Sequence, residues 1–234
     1  MTVLMPVLLV LIVGGIFALV ITMMVRAQRS RTRGMQERTE AIQLVQERGC
    51  SYQKVTYGLI DGLCGMAPLP VSGRNLRAEH YITGEFRGSG FRCFEYVTGV
   101  LDVQDGPGRN EPVFWTVFAV TAPGPGVELV VRRPQALDGM TQRGRVVQLG
   151  VPEFDEAFRV ITDDEAFARS ALTAEVAPFL SAQPQAAQDV PIRLVGGELL
   201  TWRRGRLSPR DFDERLGHLC DVLERIPPQV WSTV

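Results

Sequence analysis

The sequence predicts an α+β protein: a single N-terminal transmembrane helix and a helical stalk, then a mostly antiparallel β-sheet domain with two amphipathic helices in its C-terminal third. Three observations predict it. Val3 to Val25 contains no charged side chain, and four arginines, Arg26, Arg29, Arg31 and Arg33, follow at once. Between Cys50 and Leu149, Gly and Pro recur often and the apolar residues come in short runs rich in Val, Phe, Trp and Tyr, the pattern of strands and tight turns. Two later segments place apolar residues at helical spacing behind capping residues. The expected units are an anchor over 1–25, a basic juxtamembrane stalk over 26–49 and a soluble α+β domain over 50–234, with a further division at residue 150 left open.

The anchor is justified by length. As a helix, Val3 to Val25 would reach about 34 Å, enough to cross a hydrocarbon core of roughly 30 Å. A cleavable secretory signal would need a basic start, a shorter apolar stretch and a small-residue cleavage site, and none of these is present. Pro6 falls in the first turns, where a missing amide donor matters little, and Gly14-Gly15 sits mid-span. Arginines flanking a span are held on the cytoplasmic side, so the expectation is a single-pass protein of the cell membrane with its amino end outside and its large domain in the cytoplasm. The same four arginines, Arg26, Arg29, Arg31 and Arg33, are the candidate contacts to anionic lipid headgroups of the bilayer.

Composition narrows the partners. The chain has 25 basic residues, four of them in the juxtamembrane cluster, against 26 acidic ones. The remaining domain is therefore mildly acidic, and a nucleic-acid partner, which calls for a basic surface, is not expected. Cys50, Cys64, Cys93 and Cys220 match no CxxC or zinc spacing, and a cytoplasmic domain keeps its thiols reduced, so four free and mostly buried cysteines are expected.

Residues 26 to 48 contain no proline and many helix formers, and continue the helix as a stalk that Gly49 ends. The expected strands are Glu79 to Arg87, Phe91 to Val103, Val113 to Val120, Val127 to Arg132 and Arg145 to Leu149. Gly88-Ser89-Gly90, Asp105 to Gly108 and Ala122 to Gly126 supply the turns. Thr162-Asp163-Asp164-Glu165 reads as a capping box that opens a helix running toward Leu180 with a kink at Pro178. Ile192 to Val195 and Leu199 to Arg203 flank Gly196-Gly197, a hairpin signal. Ser208-Pro209-Arg210-Asp211 opens the last helix, whose Phe212, Leu216, Leu219, Leu223 and Ile226 form one apolar stripe before Pro227-Pro228.

From Phe154-Asp155-Glu156-Ala157-Phe158-Arg159-Val160 through Asp164, Ala168, Leu172, Ile192-Arg193-Leu194 and Gly197-Glu198-Leu199-Leu200 to Ile226-Pro227, the chain resembles a family of uncharacterised membrane-anchored proteins of actinobacteria. The resemblance covers roughly the last 80 residues. It implies an architecture and a source, and carries no activity or site residue.

No motif carries chemistry by itself. His80 and His218 are the two histidines, and His218 and Cys220, two apart on a helix, point to different faces. Asp163 to Glu165, and Asp211, Asp213 and Glu214, sit in first helical turns, where the helix dipole accounts for them. Gly58 to Gly65 lacks the Gly-Lys-Ser/Thr ending of a phosphate-binding loop. Arg132-Arg133 and Arg203 to Arg206 read as solvated strand ends. No catalytic, cofactor or metal constellation is found, and the expected role is a binding or scaffolding module with a membrane or cytosolic protein partner. Two alternatives stay open: a membrane-tethered enzyme drawing on His80, Cys64 and Asp61, and a module that reads anionic lipid through Arg26 to Arg33 and Arg203 to Arg206.

Overall fold

A computed structural model describes residues 19, 21–25, 35–60, 77–98, 113–124, 127–134, 144–172, 174–184 and 189–232. Its centre is one antiparallel sheet of nine strands: β1 (Ser51–Tyr57), β2 (Arg77–Phe86), β3 (Ser89–Thr98), β4 (Val113–Thr121), β5 (Leu129–Arg132), β6 (Val146–Val147), β7 (Arg159–Thr162), β8 (Ile192–Val195) and β9 (Glu198–Arg204). The spatial order is β1-β2-β3-β4-β9-β8-β5-β7-β6. The first four strands form a meander. The late hairpin β8–β9 then inserts between β4 and β5, so strands from both sides of residue 150 share one ladder.

The helices are α1 (residues 35–47), α2 (Pro152–Ala157), α3 (Glu165–Leu172), α4 (Val176–Ala182) and α5 (Pro209–Arg225), followed by a 3₁₀ turn at Pro228–Ser232. Strand alternation assigns the two faces of the sheet. Ile82, Phe91, Cys93, Phe118, Val120, Leu129, Val131, Val160, Ile192, Leu194 and Leu199 point to one side. There they share a core with Ala41 and Val45 of α1, Phe154 of α2, Leu172 of α3, Leu180 of α4 and the Phe212, Leu216 and Leu219 stripe of α5. The opposite face buries Phe94, Tyr96, Val117, Ala119, Val130, Ile161, Leu200 and Trp202. Tyr96 and Trp115, directly opposed on β3 and β4, stack there at 6.3 Å.

The expected transmembrane helix, and with it the single-pass membrane assignment, is corrected. Among the described residues no helix is long and apolar enough to cross a membrane. Most of the Val3 to Val25 run lies outside the described residues, as do Arg26, Arg29, Arg31 and Arg33. The next helix, α1, carries Glu37, Arg38, Glu40 and Glu47, and it lies on the sheet with Ala41 and Val45 fully buried instead of projecting as a stalk. Arg48 ties its end to Asp213 of α5 through two hydrogen bonds of 2.5 and 2.9 Å. The fold is accordingly dominated by the nine-stranded sheet.

Several local expectations shift by a residue or two. The β2–β3 turn is Arg87-Gly88, both at positive φ, one position before the expected glycine triplet. Gly196 and Gly197 both take positive φ in the β8–β9 hairpin, as a two-residue turn between right-twisted strands requires. The helix expected to run from Thr162 toward Leu180 is split into α3 and α4, with Pro178 in the first turn of the second, where it disrupts no bond. Its cap is Asp164, whose Oδ1 accepts from Phe167 N at 2.8 Å. Thr162 instead donates its hydroxyl to Glu128 O at 2.7 Å and accepts from Asp164 N. Ser208 caps α5, accepting from Asp211 N at 3.3 Å.

Candidate functional site

The most unusual polar group among the described residues is Glu95. In β3 the side chains of Phe91, Cys93 and Glu95 alternate onto the helix-covered face, so backbone pleating drives this carboxylate into the core, where it is fully buried. Two features make room for it. Opposite, β2 carries a bulge in which His80 and Tyr81 together face Phe94, between the pairs Glu79↔Glu95 and Ile82↔Cys93. The bulge holds His80 at φ +52°. Beyond β9, the segment from Gly205 to Ser208 folds back over β3 and β4, held by Gly205 N donating to Phe114 O at 2.8 Å and Thr116 Oγ1 donating to Gly205 O at 2.9 Å.

That return delivers the backbone N–H of Leu207 to Glu95 Oε1 at 2.6 Å. Arg38 of α1 stands 3.6 Å from Oε2 and Arg206 stands 3.9 Å from it, so both guanidiniums lie at ion-pair distance without closing a tight hydrogen bond. Oε2 is buried with no hydrogen-bond partner. Burial pushes the Glu95 carboxyl above its usual value of 4.5, against the opposing pull of the Leu207 N–H, Arg38 and Arg206. Arg206 lies over the Phe114 ring at 3.6 Å from its centroid, and burial lowers its pKa.

His80 belongs to the margin of this cluster. Its Nδ1 is 2.8 Å from the Tyr52 hydroxyl, with the two rings stacked at 6.1 Å. Burial lowers the His80 pKa below 6.5 and raises that of Tyr52 above 10. At neutral pH both partners are therefore uncharged, and the phenol is neither a nucleophile nor paired with a charged base. Cys64 and Asp61, expected to join His80 in an enzyme site, lie outside the described residues. Cys93 is wholly buried, and desolvation raises its thiol well above the ordinary range, which makes it inert. Cys50, Cys93 and Cys220 are free thiols.

The acidic helix starts resolve into structural contacts. Glu165 pairs with Arg169 at 2.8 Å and Arg145 at 3.2 Å, and Asp211 pairs with Arg203. Asp163, Asp164 and Glu165 line a concavity of about 650 Å³ together with Glu128 and Gly144. Among the described residues no group of three or more His, Cys, Asp or Glu side chains could hold a metal ion. Two of the strand-end arginines turn inward: Arg203 donates to Arg206 O and Asp211, and Arg206 covers Phe114. Sequence reasoning passed over Glu95, although its place in the Phe91, Cys93, Glu95 alternation was the available signal. What the arrangement does is join α1, β3 and the β9–α5 connection through one buried carboxylate.

No family model matches the chain, and no curated protein does. Among solved structures, the crystal structure of the mycobacterial trehalose monomycolate transport factor A, TtfA, is similar. It is 18% identical with a TM-score of 0.57, and the match covers 84% of this chain and 98% of that one. At that identity the likeness is one of fold, and it extends over nearly the whole of the neighbour.

Proposed function

We propose that this chain is a non-catalytic accessory component of a lipid-transport system, acting by binding a protein of that system. The observation that carries the proposal is the fold likeness to a transport factor over 98% of that factor's length. The chemistry of the core supports binding over turnover. The buried Glu95 is committed to Leu207 N–H and two arginines, and Tyr52 and His80 form a neutral pair. A fold hosts its function through sites and partners, so the test is made on cells.

Deletion of the coding sequence should lower the amount of surface-exposed glycolipid, measured by extraction and mass spectrometry, with the precursor accumulating inside. Crosslinking with the full chain as bait should capture a lipid transporter. Unchanged surface glycolipid in the deletion strain, together with no transporter among the captured proteins, would overturn the proposal.

A further inference from the structure

A cavity of about 310 Å³ opens between α4, α5 and the β2–β3 turn. Its lining includes Arg87, Phe179, Arg215, Gly217, His218 and Asp221. Three carboxylates border it, and each already has a partner. Asp221 pairs with Arg87 at 2.8 Å, Asp213 with Arg48 at 2.5 Å, and Glu214 with Arg210 at 3.4 Å. Arg215 closes no ion pair among the described residues, Asp211 and Glu214 attract it only from beyond ion-pair distance, and its Nε is buried without a hydrogen-bond partner. His218 Nε2 is buried and unpartnered as well.

Arg215 and His218 are three residues apart on α5, so their side chains lie on one face one turn apart. The His218 ring is stacked on Phe179 at 5.9 Å, which fixes its plane, and Arg225 lies over the same Phe179 ring at 4.0 Å. Gly217 adds a second, independent sign of an open site. It sits in the interior of a long helix, where glycine is unfavourable by about 1 kcal/mol relative to alanine. A Cβ there would meet nothing closer than Arg87 Nη2 at 3.7 Å, so close packing does not demand the glycine. The missing side chain leaves space in the cavity wall.

We propose that this cavity is a binding site for a small oxyanion, a carboxylate or a phosphate group, gripped by Arg215 and His218. The chemistry follows from the two donors. A guanidinium and an imidazole N–H supply charge-assisted hydrogen bonds to an anionic oxygen, and an anion would satisfy two buried groups that the protein leaves unmet. Asp221 and Glu214 on α5 raise the His218 pKa, while burial and Arg215 lower it, with burial dominant, so the unliganded ring is neutral near pH 7. A bound anion adds negative charge beside the ring and shifts its titration upward.

The test titrates the full chain with sodium phosphate in one arm and sodium acetate in another, to about 20 mM as suits millimolar affinity, against sodium chloride at matched ionic strength. Proton NMR of the His218 ring reports occupancy and its titration midpoint. The expected result is a saturable shift, with a higher midpoint, in the phosphate arm, the acetate arm or both. The responding arm identifies the anion class. Arg215→Gln should weaken the saturable binding tenfold or more, and His218→Gln should weaken it when followed by the Arg215 side-chain signal. Arg145→Gln, which removes an exposed guanidinium outside the cavity, should leave it unchanged. A chloride response equal to the others, no saturable shift in either arm, or equal binding by a folded Arg215→Gln variant would each overturn the proposal.

Discussion

Leu207 donates its backbone N–H to the Glu95 carboxylate at 2.6 Å across 112 positions of sequence, inside the core and beyond the reach of water. This bond fastens the β9–α5 connection onto the middle of the meander. The two arginines beside the same carboxylate come from α1 and from that connection, so one buried charge holds three distant parts of the chain.

Glu95 should make stability fall as pH rises. Burial lifts its folded pKa above the usual 4.5. Between that value and the raised one, the folded protein keeps a proton that the unfolded chain has released, so the stability this group contributes is present at lower pH and lost through that window. Glu95→Gln removes the titration. Urea unfolding from about pH 4 to 7 should show the parent protein losing ground to the variant as pH increases. A difference that stays flat with pH would rule out the raised pKa.

The Arg48 and Asp213 pair should couple weakly. Its side chains are 39% and 50% exposed, so solvent screens the interaction even though two hydrogen bonds are made. A double-mutant cycle with Arg48→Ala and Asp213→Ala should give a coupling of about 0.2 to 1 kcal/mol that shrinks with added salt. A coupling of several kcal/mol would mean that α1 depends on this tether more than on burying Ala41 and Val45.

Gly84 is a packing requirement of β2. A Cβ at this position would come within 2.9 Å of both Cys50 Sγ and Phe91 Cε1. Gly84→Ala should destabilise the fold by about 1 to 3 kcal/mol, as overpacking does. Adding Cys50→Ala should recover part of that, since one of the two obstructions is then removed. Thermal unfolding of the three variants reads the effect, and a neutral single substitution would contradict the close approach.

Thiol reactivity should follow burial. Cys93 is fully buried with a strongly raised pKa, whereas Cys50 is only partly buried, and Arg48 offsets part of the rise that burial imposes on its thiol. N-ethylmaleimide on the folded protein should label Cys50 well before Cys93, as mapped by peptide mass spectrometry. Equal rates would indicate that the β3 core opens readily.

The sequence by itself determined what is local. Gly196-Gly197 fixed a hairpin because two adjacent positive-φ positions suit glycine, and Ser208-Pro209 with the Phe212, Leu216, Leu219 spacing fixed α5 and its buried face. The same locality misled at the amino end. An uncharged run and an arginine cluster gave a transmembrane helix and a stalk, while α1 is amphipathic over a short reach and packs Ala41 and Val45 against the sheet. Only the tertiary structure decided that β8–β9 lies between β4 and β5, that Glu95 meets Leu207, Arg38 and Arg206, and that Arg215 Nε and His218 Nε2 are buried beside a cavity with no hydrogen-bond partner among the described residues. The reason is physical. Turn and cap preferences are set by neighbouring backbone atoms, whereas strand order and the solvation of a buried charge depend on residues that the chain brings together only after collapse.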